Sequence, residues 1–450
     1  MIGVLARPHI LTFLETRLRE LVRAHGVCGA QLAIHHDGET VAIEVGELEH
    51  GGGTPVTRDA AFPIGSVTKP FTATLAMTLV ADGDLGLDEP LGRHLPELDE
   101  LGDRLTLRHL LSHTAGFACG PDSTEVSTAS PRRYVADHCQ PHNLVQPPGA
   151  GFSYSNMGYV AVGCLVEVIT GMSWAEALEA FVLRPLGIRP AFICRTEVPP
   201  SGRPVATGHS VNPALRRTQP VRQSIAPPEA PAGALAASAV DLVALGRLHV
   251  GTGIPGLLPG SYTERMRQPV PCADPYGLAD GWGLGLAVYR GETGDWVGHD
   301  GNADGTSCYL RIDAVDGWIV ALTTNTGTGI GLWKDLGRHL AEAGVPMPTG
   351  ESPAGSRPGA PPRDCAGAYR NGDAEYLVTR SGGGLTLTVD GSGFAVLTGA
   401  DGLTFELLDH SSGQRLPGGR FQRDRRTGEI NGILVNGRLA GRCHAAVMAR

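Results

Sequence analysis

Two strand-like runs near the amino terminus, Gln31–His35 and Thr40–Val45, are cut off from the next four by a long helical and loop-like stretch. The first two are joined by Asp37-Gly38, a hairpin signal. The later four are Gly285–Tyr289, Trp296–Gly298, Thr306–Ile312 and Trp318–Thr324. From Ser66 to about Met266 the apolar spacing is mainly helical or irregular. The simplest assembly is one antiparallel sheet built from both ends of this region. Helices would lie on its faces, with a largely helical insertion beside it, an α/β (α+β) architecture.

The flanks fit that plan. Ile10, Leu11, Leu14, Leu18, Leu21 and Val22 have the spacing of an amphipathic first helix. A last helical stretch covers Leu332–Ala343. Residues 1–346 therefore read as one unit. Residues 347–363, rich in Pro, Gly and Ser, read as a linker. Residues 364–450 alternate short apolar runs with turns: Tyr376–Val378, Leu385–Val389, Phe394–Leu397, Thr404–Leu408 and Ile433–Val435. That spacing predicts a small up-and-down β domain.

Composition narrows the function classes. The net charge is −9, with no long basic run, which argues against nucleic-acid and membrane-surface binding. The apolar run Ile10–Leu14 is too short for an export signal, and Glu15, Arg17, Arg19 and Glu20 follow it at once. The nine cysteines include no Cys-x-x-Cys, so free thiols in a reducing, cytoplasmic setting are expected.

One short segment carries chemistry. It reads Phe62-Pro-Ile-Gly-Ser66-Val-Thr-Lys69, and Phe71, Leu75, Leu79 and Val80 behind it mark a helix ending at Gly83. Residues i and i+3 are neighbours on a helix, so Lys69 should lie against the Ser66 hydroxyl. Serine needs a base to become a nucleophile. Lysine can serve if burial lowers its pKa, whereas arginine does not lose its proton. Only Lys69 and Lys334 of the 37 basic residues are lysines, and chance would give roughly 0.1 Ser-x-x-Lys matches.

Two further segments are candidates for the same site. Tyr154 and Asn156 lie in Gly151-Phe-Ser-Tyr-Ser-Asn-Met-Gly-Tyr159. A tyrosine can shuttle a proton, and an amide can hold a substrate carbonyl. His299, Gly301 and Asn302 lie in Trp296-Val-Gly-His-Asp-Gly-Asn302, just after a strand. A glycine there lets a substrate backbone approach, and the histidine could place positive charge or a donor beside the nucleophile. His138, Cys139 and His142 have metal-ligand spacing, but Pro141 interrupts the helix. Gly327-Thr-Gly-Ile-Gly331 reads as a strand-to-helix turn rather than a dinucleotide loop. No metal or other cofactor is expected.

In this order the three segments resemble the serine β-lactamase and penicillin-binding-protein superfamily, most closely its class C branch. Leu110-Leu-Ser-His-Thr-Ala-Gly116, Pro231–Asp241 and Gly281-Trp-Gly-Leu-Gly285 add to the likeness, which covers roughly residues 15–345. The resemblance implies Ser66 as nucleophile, Lys69 and Tyr154 as general base and acid, and Asn156 as a substrate ligand. It implies an oxyanion hole from the backbone N–H groups of Ser66 and Asn302. His299-Asp300-Gly301 replaces the Lys-Thr-Gly of drug-hydrolysing members, and Asp300 should repel a substrate carboxylate. The carboxy-terminal domain is similar to the lipocalin-like barrel of some relatives, with Cys365–Arg370 as its opening strand. Arg438, Arg442 and Arg450 lie near its end, and Arg442 is taken as the one to meet a peptide carboxylate.

The chemistry expected is therefore an acyl-enzyme on Ser66. A peptidyl thioester, delivered by a carrier protein and released by the peptide's own amine as a macrolactam, is the leading version. An esterase, amidase, D-aminopeptidase or amide transacylase is the enzymatic alternative, and a non-catalytic acylation sensor the alternative of another class.

Overall fold

The computed structural model describes residues 5, 8–194, 202–212, 215, 217–254, 256–292, 294–348, 359–381, 384–409 and 415–443. The first hairpin pairs β1 (Gly29–His36) with β2 (Glu39–Gly46). Asp37 and Gly38 both have positive φ, as a two-residue type I′ turn requires. The later strands are β3 (Gly281–Trp282), β4 (Ala287–Arg290), β5 (Asp295–Ala303), β6 (Thr306–Ile312) and β7 (Ile319–Thr324). They join the hairpin in one seven-stranded sheet ordered β2-β1-β7-β6-β5-β4-β3. The closure of the two ends is the antiparallel β1–β7 pairing, which runs from Ala30–Thr324 to His35–Ile319.

β5 is far longer than the Trp296–Gly298 run predicted. Its ladder with β6 continues through His299, Asp300, Gly301 and Asn302, one glycine and three polar residues that give no strand signal alone.

One face of the sheet is covered by α1 (Pro8–Ala24) and the helix that ends the domain, Gly329–Glu342. Leu14, Leu18 and Leu21 pack there with Leu332, Leu336 and Leu340 against Leu32, Val320 and Leu322. The other face carries the helical layer, built around α2 (Thr68–Asp82) and α3 (Asn156–Thr170). The spacing of Phe71, Leu75, Leu79 and Val80 suggested a one-sided helix. Every residue of α2 from Thr68 to Met77 is buried instead, because α2 lies between the sheet and the rest of the helical layer. A hairpin, Gly208–Asn212 with Arg217–Val221, interrupts the mainly helical middle. Among the described residues, no single helix is long and apolar enough to cross a membrane.

Most of the proposed linker, residues 349–358, lies outside the described residues. Beyond it, β8 to β15 are Gly367–Asn371, Ala374–Ser381, Gly384–Val389, Ser392–Thr398, Thr404–Asp409, Arg415–Arg423, Ile430–Val435 and Arg438–Arg442. They form a closed barrel, sealed where β8 meets β15 through Tyr369–Arg442 and Arg370–Gly441. Tyr369, Leu387, Phe405, Phe421 and Ile433 fill it. β13, Arg-Leu-Pro-Gly-Gly-Arg-Phe-Gln-Arg, and β15 were not legible in the sequence, since Arg, Gly and Pro carry little strand preference. Closure supplies their partners.

The barrel docks on the larger domain through two strand ends and the middle of β13. The Asn371 side chain accepts from the Cys119 N–H at 2.8 Å, and the Gly437 carbonyl accepts from the Tyr154 N–H at 2.8 Å. Arg420 pairs with Asp274 at 2.7 Å.

Candidate active site

Ser66 sits in a 3-10 turn, Gly65–Val67, that runs directly into α2. Such a start leaves the first N–H groups without intrahelical acceptors and places the positive end of the helix at Ser66. The turn is pressed against the end of β5. Gly65 has φ +52°, and a Cβ there would lie 2.6 Å from the Asn302 carbonyl oxygen. A Cβ on Gly301 would lie 2.0 Å from the Ile64 carbonyl oxygen. Gly301 therefore makes room for the protein's own nucleophile turn, not for a substrate backbone as the sequence suggested.

The same contact orients a donor. A residue of an antiparallel ladder turns its N–H and C=O to the same side. The Asn302 carbonyl faces Gly65, so the Asn302 N–H also turns toward the Ser66 turn rather than toward Ser307, its partner on β6. Ser66 and Asn302 line one cleft of about 210 Å³, together with Asn156, Glu229 and Ala232.

Lys69 lies one helical turn on. Its Nζ is 3.1 Å from Ser66 Oγ and donates to the Ala232 carbonyl at 2.8 Å. It sits 5.0 Å and 5.6 Å from the ring centroids of Tyr154 and Tyr159. The side chain is fully buried, and burial lowers its pKa to about 7, with the Arg438 guanidinium adding to the effect. The Ser-x-x-Lys spacing has thus given a lysine that is substantially a free base near neutral pH.

Tyr154 is buried, with the Ser66 side chain close enough to act on its phenol. Burial holds its phenol well above the ordinary value, so it is a neutral proton carrier. Asn156 opens α3 two residues later, where the Ser155 side chain caps the helix by accepting from the Gly158 N–H. The backbone N–H of Asn156 donates to the Cys119 carbonyl, and the residue lines the cleft.

His299 faces the same layer but does not bring charge. Burial, then the nearby Lys69, lowers its pKa to about 3. Its Nδ1 lies 2.6 Å from the Asp300 carbonyl oxygen, so that nitrogen carries the proton and Nε2 is an acceptor. Of the positive charge or donor expected, the charge is absent because burial disfavours the protonated ring. Asp300 corrects a second expectation. It lies on the opposite face of β5 and pairs with Arg311 at 2.5 Å, so its charge is compensated away from the cleft.

Arg442 is not brought to the site. Its guanidinium donates to the carbonyls of Asp364, Ile430 and Ala366 and ties the barrel's ends together. The barrel arginine whose charge is felt at the catalytic pair is Arg438, four residues earlier. It follows the tight turn Asn436-Gly437, both of positive φ. Its side chain is exposed on the domain seam, within electrostatic reach of Lys69 and Tyr154. Among the described residues it has no ion-pair partner. Arg450 lies outside the described residues.

His113 was quoted in the sequence only as part of a matching segment. Its ring stacks on Tyr154 at 4.2 Å between centroids, and its Nδ1 accepts the Ser155 N–H at 3.1 Å. Burial keeps it neutral, and its φ of 57° is rare for a histidine.

A family model described as Beta-lactamase matches residues 14–345. "Penicillin-binding protein 4" of Amycolatopsis lactamdurans is 34% identical over 352 residues, 74% of this chain and 91% of that protein. The crystal structure of SurE is 38% identical, covers 98% of this chain and 100% of its own, and superposes with a TM-score of 0.86. A second SurE structure was solved with D-Leu. D-amino acid amidase of Ochrobactrum anthropi SV3 is 25% identical over 74% of this chain and 98% of its own, with a TM-score of 0.63.

Proposed function

Because the chain belongs to the beta-lactamase and penicillin-binding-protein superfamily, we propose that Ser66 takes an acyl group from a peptidyl thioester and passes it to an amine. Lys69, a free base near neutral pH, removes the Ser66 proton as Oγ attacks the donor carbonyl. The Ser66 and Asn302 N–H groups hold the oxyanion. Tyr154 carries the proton to the thiolate that leaves, and the same relay works in reverse when the amine attacks the acyl-enzyme. Asn156 holds the amide of the donor beside the scissile carbonyl.

The observation that carries this reading is the buried Lys69 Nζ, 3.1 Å from Ser66 Oγ, beside a Tyr154 whose backbone N–H is held by the barrel's Gly437 carbonyl. Likeness to SurE extends over 98% of this chain, barrel included, and D-Leu bound to that protein supports a D-configured residue at the acyl end. Intramolecular attack by the peptide's own amine would release a macrolactam. A carrier protein would deliver the donor, and the work would be done in the cytoplasm. A peptidyl N-acetylcysteamine thioester ending in a D-residue should yield cyclic product by mass spectrometry, and Ser66→Ala should abolish it. Hydrolysis of simple esters with no transfer to any amine would overturn the reading.

A second reading, hydrolysis of D-amino acid amides, is favoured by the resemblance to D-amino acid amidase. It uses the same relay with water as acceptor.

A further inference from the structure

Tyr154 can carry a proton only while its ring is held beside Ser66, and one residue outside the relay holds it by both ring and backbone. His113 stacks its imidazole on the Tyr154 ring, with 4.2 Å between centroids and 30° between planes. Its Nδ1 accepts the Ser155 N–H at 3.1 Å, and its backbone carbonyl accepts the Ser153 N–H at 2.9 Å. The two amides that flank Tyr154 are thus both bound to His113, and the Tyr154 N–H between them goes to Gly437. His113 occupies this place at two local costs. It follows the helix Leu107–Leu111 and its cap Ser112 with φ of 57°, the left-handed conformation that glycine usually supplies after a helix. It is also only 2% exposed, among the rings of Phe152, Tyr159 and Trp282. Because Nδ1 is an acceptor, the proton of the neutral ring is on Nε2, which meets no hydrogen-bond partner among the described residues. A phenylalanine would fill the aromatic cluster without burying that N–H. What the imidazole adds is the bond to Ser155. A strained backbone and an unsatisfied buried donor, at a residue that touches a catalytic ring, point to function.

We propose that His113 is a positioning residue for Tyr154. It fixes the ring plane by stacking and the backbone by holding the amides of Ser153 and Ser155, so that the phenol meets the departing group. This rests on the role of Tyr154 in the proposed relay. His113 itself passes no proton. Burial, and then the nearby Lys69, keep its ring neutral, so the Nδ1 lone pair stays available to Ser155. A proton donor displaced by a fraction of its reach loses most of its advantage. The loss depends on what leaves. An alkoxide must be protonated as its bond to carbon breaks, whereas an aryl thiolate is stable as an anion. A misplaced Tyr154 therefore harms the first kind of donor and largely spares the second.

The test compares acylation of Ser66 by N-acetyl-D-Leu methyl ester and by N-acetyl-D-Leu thiophenyl ester, followed by intact mass after rapid quenching. Tyr154→Phe should show a large loss with the methyl ester and a small one with the thiophenyl ester. His113→Gly suits the left-handed backbone but removes ring and acceptor together. It should slow the methyl ester about 100-fold and the thiophenyl ester less than about fivefold, with KM for both within about threefold of wild type. His113→Asn also tolerates that backbone and can offer its Oδ1 to Ser155, so it should recover about tenfold of the loss. In a Tyr154→Phe background, His113→Gly should cost the methyl ester less than about threefold more, since both changes act through one group. Equal losses with both donors in a glycine variant that thermal unfolding shows to be folded would make His113 a packing residue and overturn the proposal. Should the glycine variant not fold, the asparagine variant decides. It should lose about tenfold more with the methyl ester than with the thiophenyl ester, and an equal loss overturns the proposal. If Tyr154→Phe itself slows both donors equally, Tyr154 is not the acid, and the relay fails with the proposal built on it.

Discussion

Lys69 and Arg438 are both basic side chains within electrostatic reach of Tyr154, but one is sealed inside the protein and the other stands exposed on the domain seam. Lys69 comes from the helix that carries the nucleophile, three residues away in sequence. Arg438 comes from the far domain, at the end of a turn whose Gly437 carbonyl also grips the Tyr154 backbone. The interior position strips water from an amine and lowers its pKa to about 7. The seam position keeps a guanidinium wet and charged. Only the first can be a base, and only the second can offer a permanent cation to an anionic part of the donor.

Exchanging that property at the interior position should have the largest effect. Lys69→Arg keeps a cation but removes the titratable group. Acylation should fall by roughly 10³-fold, at the scale of a lost general base, with circular dichroism confirming the fold. The wild-type acylation rate should rise with pH through about 7 and level off above it, because the lysine acts deprotonated. The sign for stability is related. A pKa lowered by folding means the unfolded chain binds more protons between about 7 and 10.5, so Lys69 penalises the fold most below pH 7 and least above 10. An arginine variant that keeps a tenth of the wild-type rate, or a flat rate profile from pH 5 to 9, would break the contrast.

The interior half of the site was readable because it is local. Ser66 and Lys69 meet through helix geometry alone, and Tyr154 and Asn156 bracket a helix start whose cap, Ser155, is adjacent in sequence. The sheet was readable for a similar reason, since β1, β6 and β7 carry apolar runs that burial demands. β5 defeated the reading. Its active half is held by pairing with β6, and its glycines fit a contact with the Ser66 turn that no local pattern announces. Arg438 was hidden for the same cause. Nothing near it distinguishes it from Arg442, and only closure of the barrel sends one to the domain seam and the other into three backbone carbonyls.

The seam position should show a smaller and more selective effect. Arg438→Met should raise KM about tenfold for a thioester whose leaving thiol ends in a carboxylate, the scale of one charge-assisted contact. A donor with an uncharged leaving thiol should lose much less. Equal losses for both donors would mean that Arg438 acts by holding the Asn436–Gly437 turn against Tyr154, and the comparison would then be one of two structural cations.

The smallest effect is expected from the residue that the sequence placed most wrongly. Asp300 neighbours His299, but the alternation of β5 turns it to the other face, 30% exposed and 2.5 Å from an Arg311 that is only 8% exposed. The Arg311 guanidinium also lies over the Tyr289 ring, 3.6 Å from its centroid. Asp300→Asn should therefore change kcat/KM less than threefold for charged and uncharged donors alike. Its cost should fall on the fold, because Arg311 loses its anion in a buried place, at about 1–3 kcal/mol. Thermal unfolding measured beside the kinetics separates the two. A tenfold gain in kcat/KM with a carboxylate-bearing donor would put the charge of Asp300 back in the cleft.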